Sequence, residues 1–172
     1  ETTIDLTKEI INQYNFKTIP FKVLLGEETY NDGEIDCTKL FEYFEATEKL
    51  PKTSAINEYT YTEYFQELKK ECDAIVHISL SSEISSSYSN AKAAASKLEN
   101  VYVVDSRSLS TGIALLAIYA DSLVKKGLDP KEIAEKVEAR TASLQVSFVI
   151  NTLTYLFKGG RCSALSYFGA NL

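Results

Sequence analysis

The residues of this sequence that could take part in chemistry are mainly serines and threonines, and their hydroxyl groups are concentrated in two segments. Residues 81–87 contain five serines between a predicted strand and a predicted helix. A helix N-terminus offers free N–H groups and positive partial charge, so this segment is interpreted as a cradle for an anion or a carboxylate. Simple helix capping by serine is the alternative. Lys52-Thr53-Ser54 adds two hydroxyls and a cation in a second predicted loop, where an exposed turn is the favoured interpretation.

Candidate catalytic residues and metal-ligating histidines are few, and each has a simpler structural interpretation. Asp105, at the end of a predicted strand, either is a catalytic acid or caps the next turn. His77 is the one histidine and lies inside an apolar strand, which favours a core role over that of a base. Asp32 and Asp36 could pair as carboxylates, although turn formation explains them equally well. A zinc site with two histidine ligands is excluded.

The composition is that of one soluble globular domain. The chain has 172 residues, 45% of them hydrophobic and 24% charged, with a formal net charge of −6. This charge argues against nucleic acid as a partner, and no apolar run is long enough for stable membrane insertion. Three cysteines without CxxC spacing fit reduced thiols, which favours a cytoplasmic location.

Strand-like and helix-like segments alternate along the chain and must position these loops. Strands are predicted at 18–25, 74–79, 101–104 and 145–150. Helices are predicted at 6–14, 38–45 with Thr38 as N-cap, 60–71, 88–98, 110–126, from Asp129-Pro130 onward, and at 152–157. This order predicts an α/β fold with a mostly parallel sheet and helices on both faces. Ligands bind at the carboxyl ends of such strands, so the loops after Ser79, Val104 and Ile150 are the expected site.

Six short motifs occur along the chain in a defined order. They are Glu-Thr-Thr-Ile-Asp-Leu at 1–6, Tyr-Asn-Asp-Gly at 30–33, Pro-Lys-Thr-Ser at 51–54, Ser-Ser-Glu-Ile-Ser-Ser-Ser-Tyr at 81–88, Val-Asp-Ser at 104–106 and Lys-Gly-Gly-Arg at 158–161. Together they resemble the motifs of the DegV family of bacterial fatty-acid-binding proteins over essentially the whole chain. Each motif is weak alone, and the specificity lies in finding all six in order.

The resemblance implies the N-terminal lobe of a two-lobed α/β protein that holds one long-chain fatty acid. By motif position, the hydroxyls of Thr53 and Ser85 bind the carboxylate. The resemblance therefore implies a lipid-binding protein and not an enzyme, with no catalytic residue, no metal and no cofactor. A fatty acid kinase subunit is the implied partner, which phosphorylates the bound carboxylate with its own ATP. Residues 81–87 contain no Lys or Arg, which agrees with a carboxylate held by neutral hydroxyls.

The departures from the family pattern define further expectations. Residues 1–172 are expected to form one lobe, with the family's first strand and its C-terminal lobe outside the chain. Glu83 and Ser86 replace two family glycines, so the serine-rich loop shifts if either position needs a positive φ. Two other classes stay open: a small-anion or phosphate-handling α/β enzyme that uses Asp105 or the serine-rich loop, and an interaction domain without a ligand.

Overall fold

The computed structural model describes residues 1–163 and divides the chain into two compact units. The first unit consists of Glu1–Phe21 and Ala55–Val146. The second consists of Lys22–Ser54 and the described residues from Ser147 onward. This division does not test whether residues 1–172 form one lobe of a longer protein, which stays a prediction.

Helices and strands alternate along the described chain, and the predicted α/β class is confirmed. In chain order the elements are a 3₁₀ turn (Thr2–Ile4), α1 (Lys8–Gln13), β1 (Lys22–Leu25), β2 (Glu28–Asn31), α2 (Cys37–Thr47), β3 (Lys52–Ser54), α3 (Glu58–Leu68), β4 (Ile75–Ser79), α4 (Ser87–Ala95), β5 (Val101–Asp105), α5 (Thr111–Val124), α6 (Pro130–Thr141) and α7 (Thr154–Lys158). None of the described helices combines the length and the apolar character that a bilayer crossing requires.

The first unit is organised around β4 and β5, which pair in parallel from Ile75 opposite Val101 to Ser79 opposite Asp105. Helices α4, α5 and α6 pack against this pair. Because the two strands run in the same direction, their carboxyl ends lie side by side. The loops that follow them therefore meet at one edge, as the sequence predicts.

The core of the first unit comes from the apolar faces of its helices. Tyr61 and Phe65, one turn apart on α3, are both fully buried, and their rings stack at 5.6 Å. Ile113 and Leu116 from α5 and Val137 from α6 are buried in the same core. Burying an apolar side chain of this size contributes about 1.5–3 kcal/mol. The spacing that predicts an amphipathic helix over 60–71 therefore marks the correct buried face.

The second unit contains an antiparallel sheet with β1 between β2 and β3. Val23 of β1 lies opposite Tyr30 of β2 and opposite Thr53 of β3. Gly26, with φ of 64°, begins the tight turn that returns the chain from β1 into β2. The strand predicted at 18–25 therefore belongs to an antiparallel sheet and not to the parallel one. The loop predicted around Thr53 is wrong, because this residue lies on a strand.

Two further local predictions are corrected. The side chain of Asp36 accepts a hydrogen bond from the Thr38 N–H at 2.7 Å, so Asp36 and not Thr38 is the N-cap of α2. Asp129 caps α6 as predicted. The strand predicted at 145–150 is wrong, since these residues have no regular structure and Val149 is 98% exposed. A β-branched run forms a strand only beside a partner strand, and the described residues supply none here.

Candidate functional site

Ser85, the predicted carboxylate-binding serine, lies two residues before the start of α4 and is half-buried. Its hydroxyl oxygen accepts a hydrogen bond from the Ser87 N–H at 3.1 Å. The same hydroxyl donates to the Ser87 hydroxyl at 3.0 Å. Ser85 therefore satisfies a free N–H at the helix N-terminus, which is the capping role that the sequence left open, and its role in anion binding stays a prediction.

Ser87 anchors the serine-rich loop to the segment that leads into α3. Its side chain is fully buried, and its oxygen accepts a hydrogen bond from the Ile56 N–H at 3.3 Å. The carbonyl of Ile56 in turn accepts a bond from the Asn90 side chain at 2.8 Å. These contacts hold the loop, the start of α3 and the first turns of α4 together within the first unit.

The two positions that replace family glycines carry no backbone strain. Ser86 has φ of −78°, and Glu83 is not among the described residues with positive φ. Neither position therefore needs the conformational freedom of glycine. Whether the loop is shifted relative to relatives with glycine at these positions stays a prediction.

The carboxylate of Asp105 joins the loop after β4 to the loop after β5. One oxygen accepts hydrogen bonds from the N–H groups of Ser82 and Arg107, both at 3.1 Å. The other accepts from the Ser82 hydroxyl at 2.6 Å. A carboxylate has about four acceptor positions, so three of them are in use. This engagement favours a structural role for Asp105 over the catalytic role that the enzyme hypothesis gives it.

The side chain of Glu1 is a buried carboxylate in the first unit, to which the sequence analysis assigns no role. Its Oε1 accepts hydrogen bonds from the Tyr61 hydroxyl at 2.5 Å and the Ser79 hydroxyl at 2.7 Å. Its Oε2 accepts from the Leu80 N–H at 2.6 Å. His77 Nε2 lies 3.3 Å from Oε1. A buried charge is tolerated only with such partners, and here it connects the chain start, α3 and the end of β4.

The electrostatics of this cluster keep a single negative charge inside the first unit. Burial raises the pKa of Glu1, but the hydrogen bonds with His77 and Tyr61 outweigh it and lower this pKa below its usual range. Burial lowers the pKa of His77, so the imidazole is neutral at neutral pH and donates through Nε2–H. Burial and the nearby Glu1 charge raise the pKa of Tyr61, which keeps its hydrogen. The predicted core role of His77 is confirmed.

Sequence reasoning missed this cluster because its members are far apart along the chain. Glu1 is 60 residues from Tyr61 and 76 from His77, so no local spacing connects them. The one available signal was the pair of polar residues His77 and Ser79 inside an otherwise apolar strand. The alternation of side chains along β4 predicts that His77 and Ser79 share one face of the strand, but it does not identify the distant group that they contact.

The other candidate site residues are placed separately. Thr53 is exposed on β3 of the second unit, whereas Ser85 belongs to the first unit. Asp36 is engaged as the cap of α2, which agrees with the turn interpretation of that residue. Among residues 1–163, no group of three or more His, Cys, Asp or Glu side chains is arranged to hold a metal ion.

A cavity of about 620 Å³ in the first unit runs along β4 and α5. Glu1 and His77 contribute to its lining, together with apolar residues such as Ile78 and Ile113. Ser85 does not line this cavity. The space therefore is not the predicted carboxylate site.

Comparison with known proteins identifies the family. The model of a family described as uncharacterised protein, DegV family, matches residues 1–172. The chain belongs to the DegV family, and the resemblance of its six motifs is confirmed. A DegV domain-containing protein of Clostridium perfringens is 30% identical over 166 residues, which are 95% of this chain and 60% of that protein.

Solved structures share the fold. A DegV family protein from Thermus thermophilus, described by its fatty acid binding, superposes with a TM-score of 0.89 at 25% identity. The match covers 99% of this chain and 62% of the T. thermophilus chain. DegV from Bacillus subtilis, described as a fatty acid binding protein, gives a TM-score of 0.84 at 31% identity with the same coverage. The chain therefore spans about 60% of the length of these relatives.

Proposed function

We propose that this chain is part of a protein that binds a long-chain fatty acid and holds its carboxyl group with the hydroxyls of Thr53 and Ser85. The observation that carries the proposal is the likeness to the fatty acid binding protein of B. subtilis, at 31% identity over 99% of this chain. The protein acts as a binding module, and the bound fatty acid is its ligand. It needs no metal or cofactor of its own for this role.

The chemistry of the serine-rich loop supports the proposed carboxyl site. Ser85 stands half-buried at the N-terminus of α4, where the helix dipole favours electron-rich groups. Residues 81–87 contain no cation, so a carboxyl group here meets hydroxyls and not a salt bridge. The acyl chain supplies the main affinity, because a dozen buried methylenes at about 0.8 kcal/mol each contribute about 10 kcal/mol. The polar groups then decide where the head of the ligand lies.

We further propose that a partner kinase phosphorylates the bound carboxyl group. A carboxyl held by neutral hydroxyls is not neutralised by an ion pair, so it stays available as a phosphoryl acceptor. Three donors bind the carboxylate of Asp105, so this residue is not a free catalytic carboxylate in the loops after β4 and β5. This supports the proposal that the chain binds the fatty acid and that a partner carries out the phosphorylation. The proposed location is the cytoplasm, because Cys37, Cys72 and Cys162 are all free thiols.

Native mass spectrometry of the protein in its full natural length tests fatty-acid binding. The expected spectrum shows one fatty acid retained from the host cell, or one palmitate or oleate taken up after delipidation. A protein that carries no lipid and takes up neither acid contradicts the proposal. Incubation with ATP and a fatty acid kinase then tests presentation, and acyl-phosphate is expected only when both proteins are present.

Alanine variants of the two hydroxyl residues test where the carboxyl group lies. Thr53→Ala and Ser85→Ala each remove a hydrogen bond to the ligand, worth about 1.5–3 kcal/mol if the carboxyl is charged, which is about 10-fold to 100-fold in Kd. Thr29→Ala on the exposed face of β2 and Ser89→Ala on α4 are the matched controls. The controls are expected to bind like the parent. If Thr53→Ala and Ser85→Ala also bind like the parent, the proposed placement is wrong.

A further inference from the structure

The serine-rich loop is fixed to the rest of the first unit at three consecutive residues. The Leu80 N–H donates a hydrogen bond to Glu1 Oε2 at 2.6 Å. The next N–H, that of Ser81, donates to the Ser108 carbonyl at 3.1 Å. The third anchor, at Ser82, also leads to the loop after β5. The first anchor therefore differs from the other two, because it connects the loop to a buried carboxylate at the chain start.

Ser85 is connected to these anchors through the backbone of Ser81. The Ser81 carbonyl accepts hydrogen bonds from the N–H groups of Ile84 and Ser85, both at 3.2 Å. The Ser81 hydroxyl, which is buried, accepts from the Glu83 N–H at 3.2 Å. The loop from Leu80 to Ser85 is thus one compact turn, and a displacement of its first residue moves the carbonyl that holds Ser85.

The side chain of Glu1 is a rigid anchor, because it is fully buried and uses both of its oxygens as acceptors. Oε1 accepts from the hydroxyls of Tyr61 and Ser79, at 2.5 and 2.7 Å. Oε2 accepts from the Leu80 N–H. A glutamine of the same shape has one oxygen and one NH₂ group, so it cannot accept on both sides. Glu1→Gln therefore breaks either the bond to the loop or the bonds to the two hydroxyls.

We propose that Glu1 is a positioning residue for the fatty-acid carboxyl group. Through the Leu80 N–H, it holds the serine-rich loop in the form that places the Ser85 hydroxyl against the ligand. The inference rests on the proposed function and adds a buried residue that acts through the loop. The acyl chain supplies most of the affinity and the loop orients the head of the ligand, so the effect of Glu1 falls on carboxyl recognition.

Two ligands with the same chain separate carboxyl recognition from general loss of structure. Dodecanoate and dodecan-1-ol are titrated calorimetrically into the delipidated protein in its full natural length. Glu1→Gln is expected to raise the Kd of dodecanoate about 10-fold and to change that of dodecan-1-ol by less than about 2-fold. Val137→Ala is the control for lost stability, since this residue is fully buried on α6 and its apolar side chain makes no hydrogen bond. It is expected to leave the ratio of the two Kd values unchanged.

A double-mutant cycle in binding tests whether Glu1 acts through Ser85. In the Ser85→Ala protein the hydroxyl that Glu1 positions is absent, so adding Glu1→Gln is expected to change the Kd of dodecanoate by less than about 2-fold. A loss of about 10-fold in both backgrounds shows that the two residues act independently, and it overturns the inference.

Replacing the Leu80 N–H by an ester oxygen isolates the contact between Glu1 and the loop. The α-hydroxy acid of leucine, introduced at this position by nonsense suppression, removes the donor and leaves Glu1 its charge and its bonds to Tyr61 and Ser79. The expected loss of dodecanoate affinity is again about 10-fold, with dodecan-1-ol unaffected. This variant decides the question if Glu1→Gln does not fold, and an unchanged ratio of the two Kd values overturns the positioning role.

The remaining outcomes separate this inference from the proposed function. If Glu1→Gln weakens both ligands equally, its role is structural and the inference is overturned, while fatty-acid binding stands. Unchanged or tighter binding of dodecanoate, as the loss of a negative charge alone would give, overturns it as well. A wild-type protein that binds no dodecanoate overturns the proposed function and this inference with it.

Discussion

The carboxylate of Asp105 connects two loops, and its removal is expected to loosen both. Asp105→Ala removes the carboxylate that accepts hydrogen bonds from three donors. These are the Ser82 N–H at 3.1 Å, the Ser82 hydroxyl at 2.6 Å and the Arg107 N–H at 3.1 Å from the carboxylate oxygens. Hydrogen bonds to a charged group contribute about 1.5–3 kcal/mol each when they are buried. Ser82 and Arg107 are exposed, so water replaces part of the loss. The expected decrease in the free energy of unfolding is therefore about 2–4 kcal/mol.

A double-mutant cycle with Ser82→Ala isolates the side-chain contact between the two loops. Ser82→Ala removes only the 2.6 Å bond to Asp105, so it is expected to cost about 1 kcal/mol in wild type and close to nothing in Asp105→Ala. The coupling energy between the two substitutions is thus about 1 kcal/mol. Urea unfolding followed by circular dichroism measures all four proteins. Asp129→Ala removes an exposed helix cap of α6 and serves as a reference variant, whose free energy of unfolding is expected to fall by about 1 kcal/mol.

Asp105→Asn distinguishes the structural role from catalysis. The amide oxygen can still accept from the Ser82 and Arg107 N–H groups, so the expected loss of stability is below about 1 kcal/mol. Fatty-acid binding is expected to persist in this variant. The structural role of Asp105 is refuted if Asp105→Ala is as stable as wild type, or if the two alanine substitutions are additive within about 0.3–0.5 kcal/mol. An ester or phosphate hydrolysis that is lost in Asp105→Asn would instead favour the enzyme hypothesis.

Three further predictions concern pH and packing. The free energy of unfolding is expected to fall on acidification. The first decrease begins below about pH 6.5, where His77 becomes protonated only in the unfolded chain because burial lowers its pKa in the folded protein. A second decrease begins below about pH 4.5, where Glu1 becomes protonated only in the unfolded chain because its hydrogen bonds lower its folded pKa. A flat profile in urea titrations from pH 7 to pH 4 contradicts this. Gly112→Ala places a Cβ 2.0 Å from the side-chain oxygen of Ser108, so the free energy of unfolding is expected to fall by about 1–3 kcal/mol. If this clash is the cause, adding Ser108→Gly to the Gly112→Ala protein recovers part of the loss. Phe65→Ala empties a fully buried position and is expected to cost about 3–5 kcal/mol; a thermal unfolding midpoint equal to that of wild type would show that Phe65 is not part of the core.

Much of the first unit could be predicted from the sequence because its signals are local. The periodicity of α3, the continuous apolar runs of β4 and β5, and the Asp129-Pro130 start of α6 each depend on residues within a few positions of one another. The parallel pairing of β4 and β5 follows from the helix between them. These local features are enough to place the serine-rich loop and Asp105 at one edge of the sheet.

The sheet of the second unit and the buried cluster could not be predicted, because both depend on long-range contacts. Residues 18–25 and 145–150 look alike as β-branched apolar runs, yet only β1 finds partner strands, in β2 and β3. Thr53 lies on an exposed three-residue strand whose polar composition is typical of a loop. The carboxylate of Glu1 depends on donors 60 to 79 residues away. Local pattern does not carry such information, although motif order correctly indicated the family.

A crystal structure of the protein in its full natural length with bound palmitate tests the proposed carboxyl site most directly. The expected result is elongated density whose carboxyl group lies at hydrogen-bonding distance, about 2.5–3.2 Å, from both the Ser85 Oγ and the Thr53 Oγ1. A palmitate whose carboxyl group contacts neither hydroxyl, or a protein that shows no bound acid after soaking and co-crystallisation, would contradict it.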